Sequence, residues 1–209
     1  MALTKYNQSV AHLNLLRSQL RNGVVVAAPT ETAYGLLANA LNKQAVVAVV
    51  RIKGREHNKP MALVANDLKM VSHYFKISPN ELRLAKKFWP GPLTLLLKPR
   101  QKFSVGIVGV NGRVGVRVPA SAWLRKLVTL MGTPLTATSA NRAGGPTSFS
   151  SNSVIRQLRA RGLSHLVDGG RLKRVSVSTV AYLNNKRLII LRDGAISRAR
   201  LERVLRSIL

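Results

Sequence analysis

Trp89-Pro90-Gly91-Pro92 can continue neither a helix nor a sheet interior, yet the segment directly before it carries a strong helix start. The two prolines remove backbone donors and the glycine adds freedom, so the chain must stop and turn there. Upstream, Ser78-Pro79-Asn80-Glu81 reads as a capping box with proline at the first helical position. Downstream, residues 93–97 form a short apolar run of strand length. A helix, a forced stop and a buried strand thus follow one another, and similar alternations recur along the chain.

Ser9 can cap a helix running to about Asn22, with Val10, Leu13, Leu16 and Leu20 on one face and Gly23 at its end. Residues 23–29 read as a buried strand. Asn42 caps a helix with Val46, Val49 and Val50 at helical spacing, ending near Lys53-Gly54. Residues 61–65 read as a strand. Residues 104–110 and 114–118 read as two strands of a hairpin turned at Asn111-Gly112. Leu124, Leu127, Val128 and Met131 share a helical face closed by Gly132, and residues 134–138 follow as a strand. Ser151 is expected to cap a helix carrying Val154, Ile155 and Leu158. Residues 166–167, 179–183 and 187–191 read as strands, the last two joined at Asn184-Asn185-Lys186. A final helix is expected at about 196–208.

Interleaved helices and strands give an α/β class, while the hairpins demand antiparallel neighbours, so the expected sheet is mixed with helices packed on it. No repeat and no long linker divides the chain, which is read as one domain over residues 1–209. At 46% hydrophobic residues it can fill a sizeable core. No run of about 18 apolar residues is present, so no membrane span is expected.

The charge is the unusual quantity: 34 Lys and Arg face 7 Asp and Glu, a formal charge of +27. A field of that sign attracts nucleic acid or nucleotide phosphates, although the basic residues are scattered along the chain as solvated side chains would be. Cysteine is absent, which excludes a thiol nucleophile and cysteine-bound zinc or iron–sulfur clusters. No two of the seven acids are close enough in sequence to suggest a carboxylate metal cluster. His12, His57, His73 and His165 show no ligand spacing, so no resident metal is expected. Residues 1–30 lack acids, a weak likeness to a transit peptide, but an acid-poor chain gives this by chance; the expected location is the cytoplasm, with organelle import as the alternative.

There is no P-loop, no dinucleotide fingerprint and no nucleophile elbow. Polar chemistry gathers instead in loops beside apolar strands. Pro29-Thr30-Glu31-Thr32-Ala33-Tyr34-Gly35 offers two hydroxyls, a carboxylate and a phenol within five positions, suited to a small polar ligand or to a well-bonded turn. Lys53-Gly54-Arg55 with Lys59-Pro60 places three cations at a helix exit, able to grip a polyphosphate or a carboxylate. Arg117-Val118-Pro119 and Thr138-Ser139-Ala140-Asn141 sit at strand ends, and the latter can bond phosphate oxygens without repelling them. Asp168-Gly169-Gly170, Ser178-Thr179-Val180 and Arg192-Asp193-Gly194 follow.

In this order, the segments PTETAYG (29–35), KGR with KP (53–60), WPGPLT (89–94), VRVP (116–119), TSAN (138–141), DGG (168–170), STV (178–180) and LRDG (191–194) resemble the YrdC/TsaC family of threonylcarbamoyl-AMP synthases. The likeness runs from Gly23 to Gly194, and eight motifs in register make it specific. It implies an α/β, YrdC-like fold: a twisted open sheet, mixed parallel and antiparallel, with flanking helices and a concave pocket. It implies a nucleotidyltransferase that condenses L-threonine, bicarbonate and ATP to threonylcarbamoyl-AMP and pyrophosphate. That product serves N6-threonylcarbamoyladenosine (t6A) formation at position 37 of ANN-decoding tRNAs. The implied partners are tRNA and the downstream transferase TsaD with TsaB and TsaE, and Mg²⁺ is expected to arrive with ATP.

Carried over residue by residue, the resemblance gives Lys53 and Arg55 catalytic and triphosphate-binding roles. Thr138, Ser139, Asn141 and Arg192 fall on the ATP side. Thr32, Tyr34, Arg55, Arg117 and Ser178 fall on the threonine and bicarbonate side. The chain departs from the family pattern at Ala181-Tyr182 after STV, at LRDG in place of LRPG, and at Arg142-Ala143-Gly144 after TSAN. Two other classes stand beside this one. A non-enzymatic module binding double-stranded RNA or tRNA fits the charge, but 5% aromatic residues and no RNA-recognition signature count against it. A carbamoyl-transfer enzyme like the YrdC-like domain of hydrogenase-maturation proteins would bring cysteine zinc motifs, which this chain lacks.

Overall fold

The computed structural model describes residues 3–56, 59–185 and 187–206. Its strands are β1 (Thr4–Tyr6), β2 (Val26–Pro29), β3 (Tyr34–Leu37), β4 (Leu63–Val64), β5 (Phe75–Lys76), β6 (Leu93–Pro99), β7 (Val114–Arg117), β8 (Leu135–Thr136), β9 (Thr138–Ser139), β10 (His165–Val167), β11 (Thr179–Asn184) and β12 (Arg187–Arg192). Its α-helices are α1 (Val10–Arg21), α2 (Lys43–Lys53), α3 (Leu68–Tyr74), α4 (Pro79–Phe88), α5 (Ala122–Met131), α6 (Ser151–Leu158) and α7 (Arg198–Arg206).

Hydrogen bonding divides the described strands into two open sheets, ordered β1-β10-β2-β3-β9 and β12-β11-β6-β7-β4-β8, with β5 added beside β6. Both are mixed: β1–β10, β10–β2, β11–β6 and β4–β7 are parallel, and the other pairs antiparallel. The expected strand over residues 134–138 is in fact the stitch between the sheets. β8 pairs with β4 in one sheet, and β9 pairs with β3 in the other. Between them Thr136 N–H donates to Ala38 O at 2.9 Å, and Ala137 N–H to Ala62 O at 2.8 Å. One short segment satisfies both edges, which brings Ala137, Thr138 and Ser139 to the space between them.

The helix starts follow their caps. Ser9, Asn42, Ser78 and Ser121 each accept a backbone N–H three residues on. Ser78 and Glu81 close the capping box, worth about 1 kcal/mol at a helix N-terminus. Ser150, not Ser151, caps α6. Asp67 caps α3, a helix the periodicity of so short a segment does not announce. The hairpin expected over residues 104–118 is only half present. β7 forms, but its antiparallel neighbour is β6, and residues 104–110 follow a turning path. Asn111 (φ 54°) and Gly112 (φ 68°) do make the tight left-handed turn that their residue types favour. β1, β3 and β5 were not anticipated, being two to four residues long. Leu63 and Val64 alone carry the strand expected over 61–65. Residues 207 and 208 of the expected C-terminal helix, like His57 and Lys186, lie outside the described residues.

A continuous apolar core joins Val25, Leu36, Val49 and Leu93 of the first half to Val116, Ala181 and Leu201 of the second. A second cluster packs α1 and α5 against the opposite side of the first sheet through Leu13, Leu16, Leu124 and Leu127. No helix among the described residues is long and apolar enough to cross a membrane.

Candidate active site

A cavity of about 390 Å³ opens between the two sheets. Its walls are the β2–β3 turn, β9, the faces of β6 and β7, and the approach to β11 and β12. Thr32, Tyr34, Arg55, Arg117, Thr138, Ser139, Ser178 and Arg192 all line it, so eight of the ten residues singled out from the sequence converge there. Among the described residues, four arginines line the cavity and no carboxylate does. The other two, Lys53 and Asn141, stand behind the wall.

Lys53 ends α2 and Gly54 reverses the chain in a left-handed conformation (φ 64°), bringing Arg55 round to the cavity. The Lys53 ammonium is buried, 5% exposed. It donates to Ser139 O at 2.6 Å, Asn141 Oδ1 at 2.8 Å, Asn141 O at 3.1 Å and Ser139 Oγ at 3.2 Å. Burial, then the nearby charge of Arg55, lowers its pKa to about 8. Asn141 in turn donates its side-chain N–H to Gly145 O at 2.6 Å. The lysine therefore holds the TSAN segment in shape, and the hydroxyl of Ser139 and the backbone around it are presented to the cavity.

Arg55 donates to Thr138 Oγ1 at 3.2 Å and to Pro60 O at 2.9 Å. Its Nε is buried with no acceptor, and desolvation pushes the guanidinium below its ordinary pKa. A buried donor without a partner at a cavity wall is the position a ligand oxygen would fill. Arg117, 7% exposed, is paired with Glu31 at 2.6 Å. Burial lowers its pKa and the Glu31 carboxylate works against that. One Glu31 oxygen, Oε2, is buried and unpartnered.

Arg192 donates through Nε and a terminal nitrogen to Ser178 O at 3.1 and 2.9 Å, and to Ser178 Oγ at 2.9 Å. Ser178 Oγ also lies 3.0 Å from Thr94 Oγ1. Gly194 makes this approach possible: a Cβ there would fall 2.3 Å from Val177 O and 2.6 Å from the Ser178 carbonyl carbon. Burial, then the nearby charge of Arg117, lowers the Arg192 pKa. Tyr34 is fully buried. Its hydroxyl donates to Gly170 O at 2.8 Å and accepts Gly169 N–H at 2.9 Å, which ties the DGG segment to the cavity wall. Thr32 Oγ1 lies 3.1 Å from Thr30 Oγ1 inside a hydroxyl-bonded turn. Lys59 lies apart, in an exposed pair with Glu56.

Sequence reasoning missed four polar cavity residues, Thr30, Thr94, Arg113 and Thr147. Thr94 was visible only as the last letter of WPGPLT, and Thr30 as a member of PTETAYG. Arg113 carried no signal, because its role depends on a gap between strands. β11 pairs with β6 only as far as Ala181–Leu95, and Arg113 fills the opening beyond. It donates to Leu96 O at 3.2 Å and Leu183 O at 3.1 Å, stands 3.6 Å from Glu81, and lies over the Tyr182 ring.

Comparison with known proteins agrees with this fold. The family model Sua5/YciO/YrdC, described as "Telomere recombination", matches residues 18–194. A protein of Methanocaldococcus jannaschii is 31% identical over 91% of this chain and 89% of its own length. The threonylcarbamoyl-AMP synthase of Pyrococcus abyssi is 36% identical over 89% of this chain, which spans only 55% of that relative's length. The crystal structure of P. abyssi Sua5 complexed with L-threonine superposes with a TM-score of 0.88 at 32% identity, covering 98% of this chain and 61% of that one. With the fold, the motif order and these matches in agreement, the chain belongs to the Sua5/YciO/YrdC family.

Proposed function

We propose that this chain is a threonylcarbamoyl-AMP synthase, a nucleotidyltransferase acting on L-threonine, bicarbonate and MgATP. The observation that carries the reading is the Lys53 ammonium bound to Ser139 and Asn141 beside Arg55, whose Nε lacks an acceptor at the wall of an arginine-lined cavity. The threonine-bound structure of the P. abyssi relative supports the amino-acid substrate, and the names of the relatives support the reaction.

In this reading the neutral threonine amine adds to bicarbonate carbon, water leaves, and a carbamate forms. A carbamate oxygen then attacks the α-phosphorus of ATP in line and pyrophosphate departs. The chain's part is positioning and charge compensation. Ser139, Thr138 and the segment held by Lys53 and Asn141 receive the phosphates. Arg55 spans the phosphate side and the carbamate. Arg117, fixed by Glu31, takes the threonine carboxylate, with Thr32 and Ser178 beside it. Arg192 neutralises the nucleotide from the opposite wall. Tyr34 keeps the DGG segment closed over that end. Magnesium, carried in with ATP, would screen the departing pyrophosphate.

Residues 1–209 are read as one YrdC-like unit, which the continuous core from Val25 to Leu201 supports. The product is a reactive adenylate, and its consumer is the t6A-forming transferase TsaD with TsaB and TsaE. The +27 charge supports contact with tRNA, and a product made for tRNA modification supports a cytoplasmic location. The test is pyrophosphate release from MgATP with threonine and bicarbonate each omitted in turn. Release that needs both supports the reading, and none from folded, ATP-binding protein removes it.

A further inference from the structure

Beside the cavity, and sharing Thr147 with it, lies a second groove of about 950 Å³ between the start of α6 and residues 168–174. Four cations line it, Arg156, Arg171, Lys173 and Arg174, against one carboxylate, Asp168. Asp168 Oδ1 is occupied by Gly170 N–H at 2.9 Å. None of the four cations joins an ion pair among the described residues.

The cations do not hang from a loose loop. Leu172 N–H donates to Phe149 O at 2.7 Å, and Ser150 and Arg171 form an antiparallel bridge. The Arg174 guanidinium lies 5.7 Å from the centre of the Phe149 ring. Backbone bonds at Arg171 and Leu172 and the ring beneath Arg174 thus hold like charges around one groove, with Asp168 as the only carboxylate against them among the described residues. A polyanion would relieve that repulsion, and arginine forks suit phosphate oxygens.

We propose that this groove is a second polyphosphate site, taking inorganic pyrophosphate as it leaves the first cavity past Thr147. The choice of pyrophosphate rests on the reaction proposed above, which releases it; the groove's charge does not. The site acts as an exit station that draws product from the buried phosphate side toward solvent.

Calorimetry of the full chain with inorganic pyrophosphate alone should show two sites. The double variant Lys173→Ala/Arg174→Ala should weaken one of them at least tenfold and leave the other, and threonine binding, unchanged. Raising NaCl from about 0.05 M to about 0.5 M should weaken the groove site more than the cavity site, because its cations are exposed. One site in the unaltered protein, or two sites unmoved by the double variant, overturns the proposal. So does a single pyrophosphate site accompanied by binding of a short double-stranded RNA that the double variant abolishes, which would assign the groove to a polynucleotide. Two pyrophosphate sites in a protein that fails to make the adenylate would count against the reaction and leave the groove standing.

Discussion

The ammonium of Lys53 stands 2.6 Å from the carbonyl oxygen of Ser139 and 2.8 Å from Oδ1 of Asn141, so the last residue of one helix fixes the loop after a strand of the other half of the chain. Removing it leaves four acceptors without their donor in a buried place. Lys53→Met should retain the fold by circular dichroism yet lower threonine-dependent pyrophosphate release at least 100-fold, with Asn141→Ala close behind. Affinity for RNA should hardly change in either. Equal loss of turnover and RNA affinity would show that the pocket is wrongly assigned.

Lys53 also predicts a proton linkage. Its pKa is lowered to about 8 by burial and by Arg55, so near that pH the amine is partly neutral in the empty protein. A bound polyphosphate favours the charged form, so ATP binding at pH 8 to 8.5 should take up protons, seen by calorimetry in two buffers of different ionisation heat. Lys53→Met should remove the uptake. For folding the sign runs the other way: the unfolded chain keeps this proton up to about pH 10.5, so the Lys53 contribution to stability rises with pH between about 8 and 10.5.

Glu31 compensates a buried arginine. Glu31→Ala would leave Arg117 charged and unpaired, at a cost of about 3 kcal/mol in urea unfolding. It should also raise the KM for threonine more than that for ATP. A variant with unchanged stability would mean that water already reaches Arg117.

Gly194→Ala tests the approach of β12 to the STV segment. The added Cβ meets backbone atoms of residues 177–179 that cannot swing away, so Arg192 must leave Ser178. Overpacking of this kind costs about 1–3 kcal/mol, and turnover should fall at least tenfold. Ser78→Ala is the contrast: loss of the α4 cap should cost about 1 kcal/mol and leave turnover unchanged.

Much of this was legible before any coordinates. Ser9, Asn42 and Ser78 announce their helices because a cap and an apolar stripe are local signals. Lys53, Arg55, Ser139 and Asn141 could be singled out as chemistry beside strand ends. Their mutual contact could not, since it depends on α2 and the β9 loop meeting across the sheets. Residues 134–138 read as one strand because their pattern is uniform, while their division between two sheets is set by β4 and β3. Residues 104–110 look like half of a hairpin because Asn111-Gly112 does turn. The partner of β7 was chosen by β6, whose run of five buried residues offers a longer apolar face. Arg113 and Thr94 became visible only when strand pairing showed where β6 and β11 part and where Ser178 lies.

The most direct measurement follows the carbon atom. The purified chain would be given ¹³C-bicarbonate, L-threonine and MgATP, and the products read by mass spectrometry. Threonylcarbamoyl-adenylate carrying one ¹³C, formed only with all three substrates and lost in Lys53→Met, is the predicted result. ATP-binding, folded protein that forms no labelled adenylate would contradict the account.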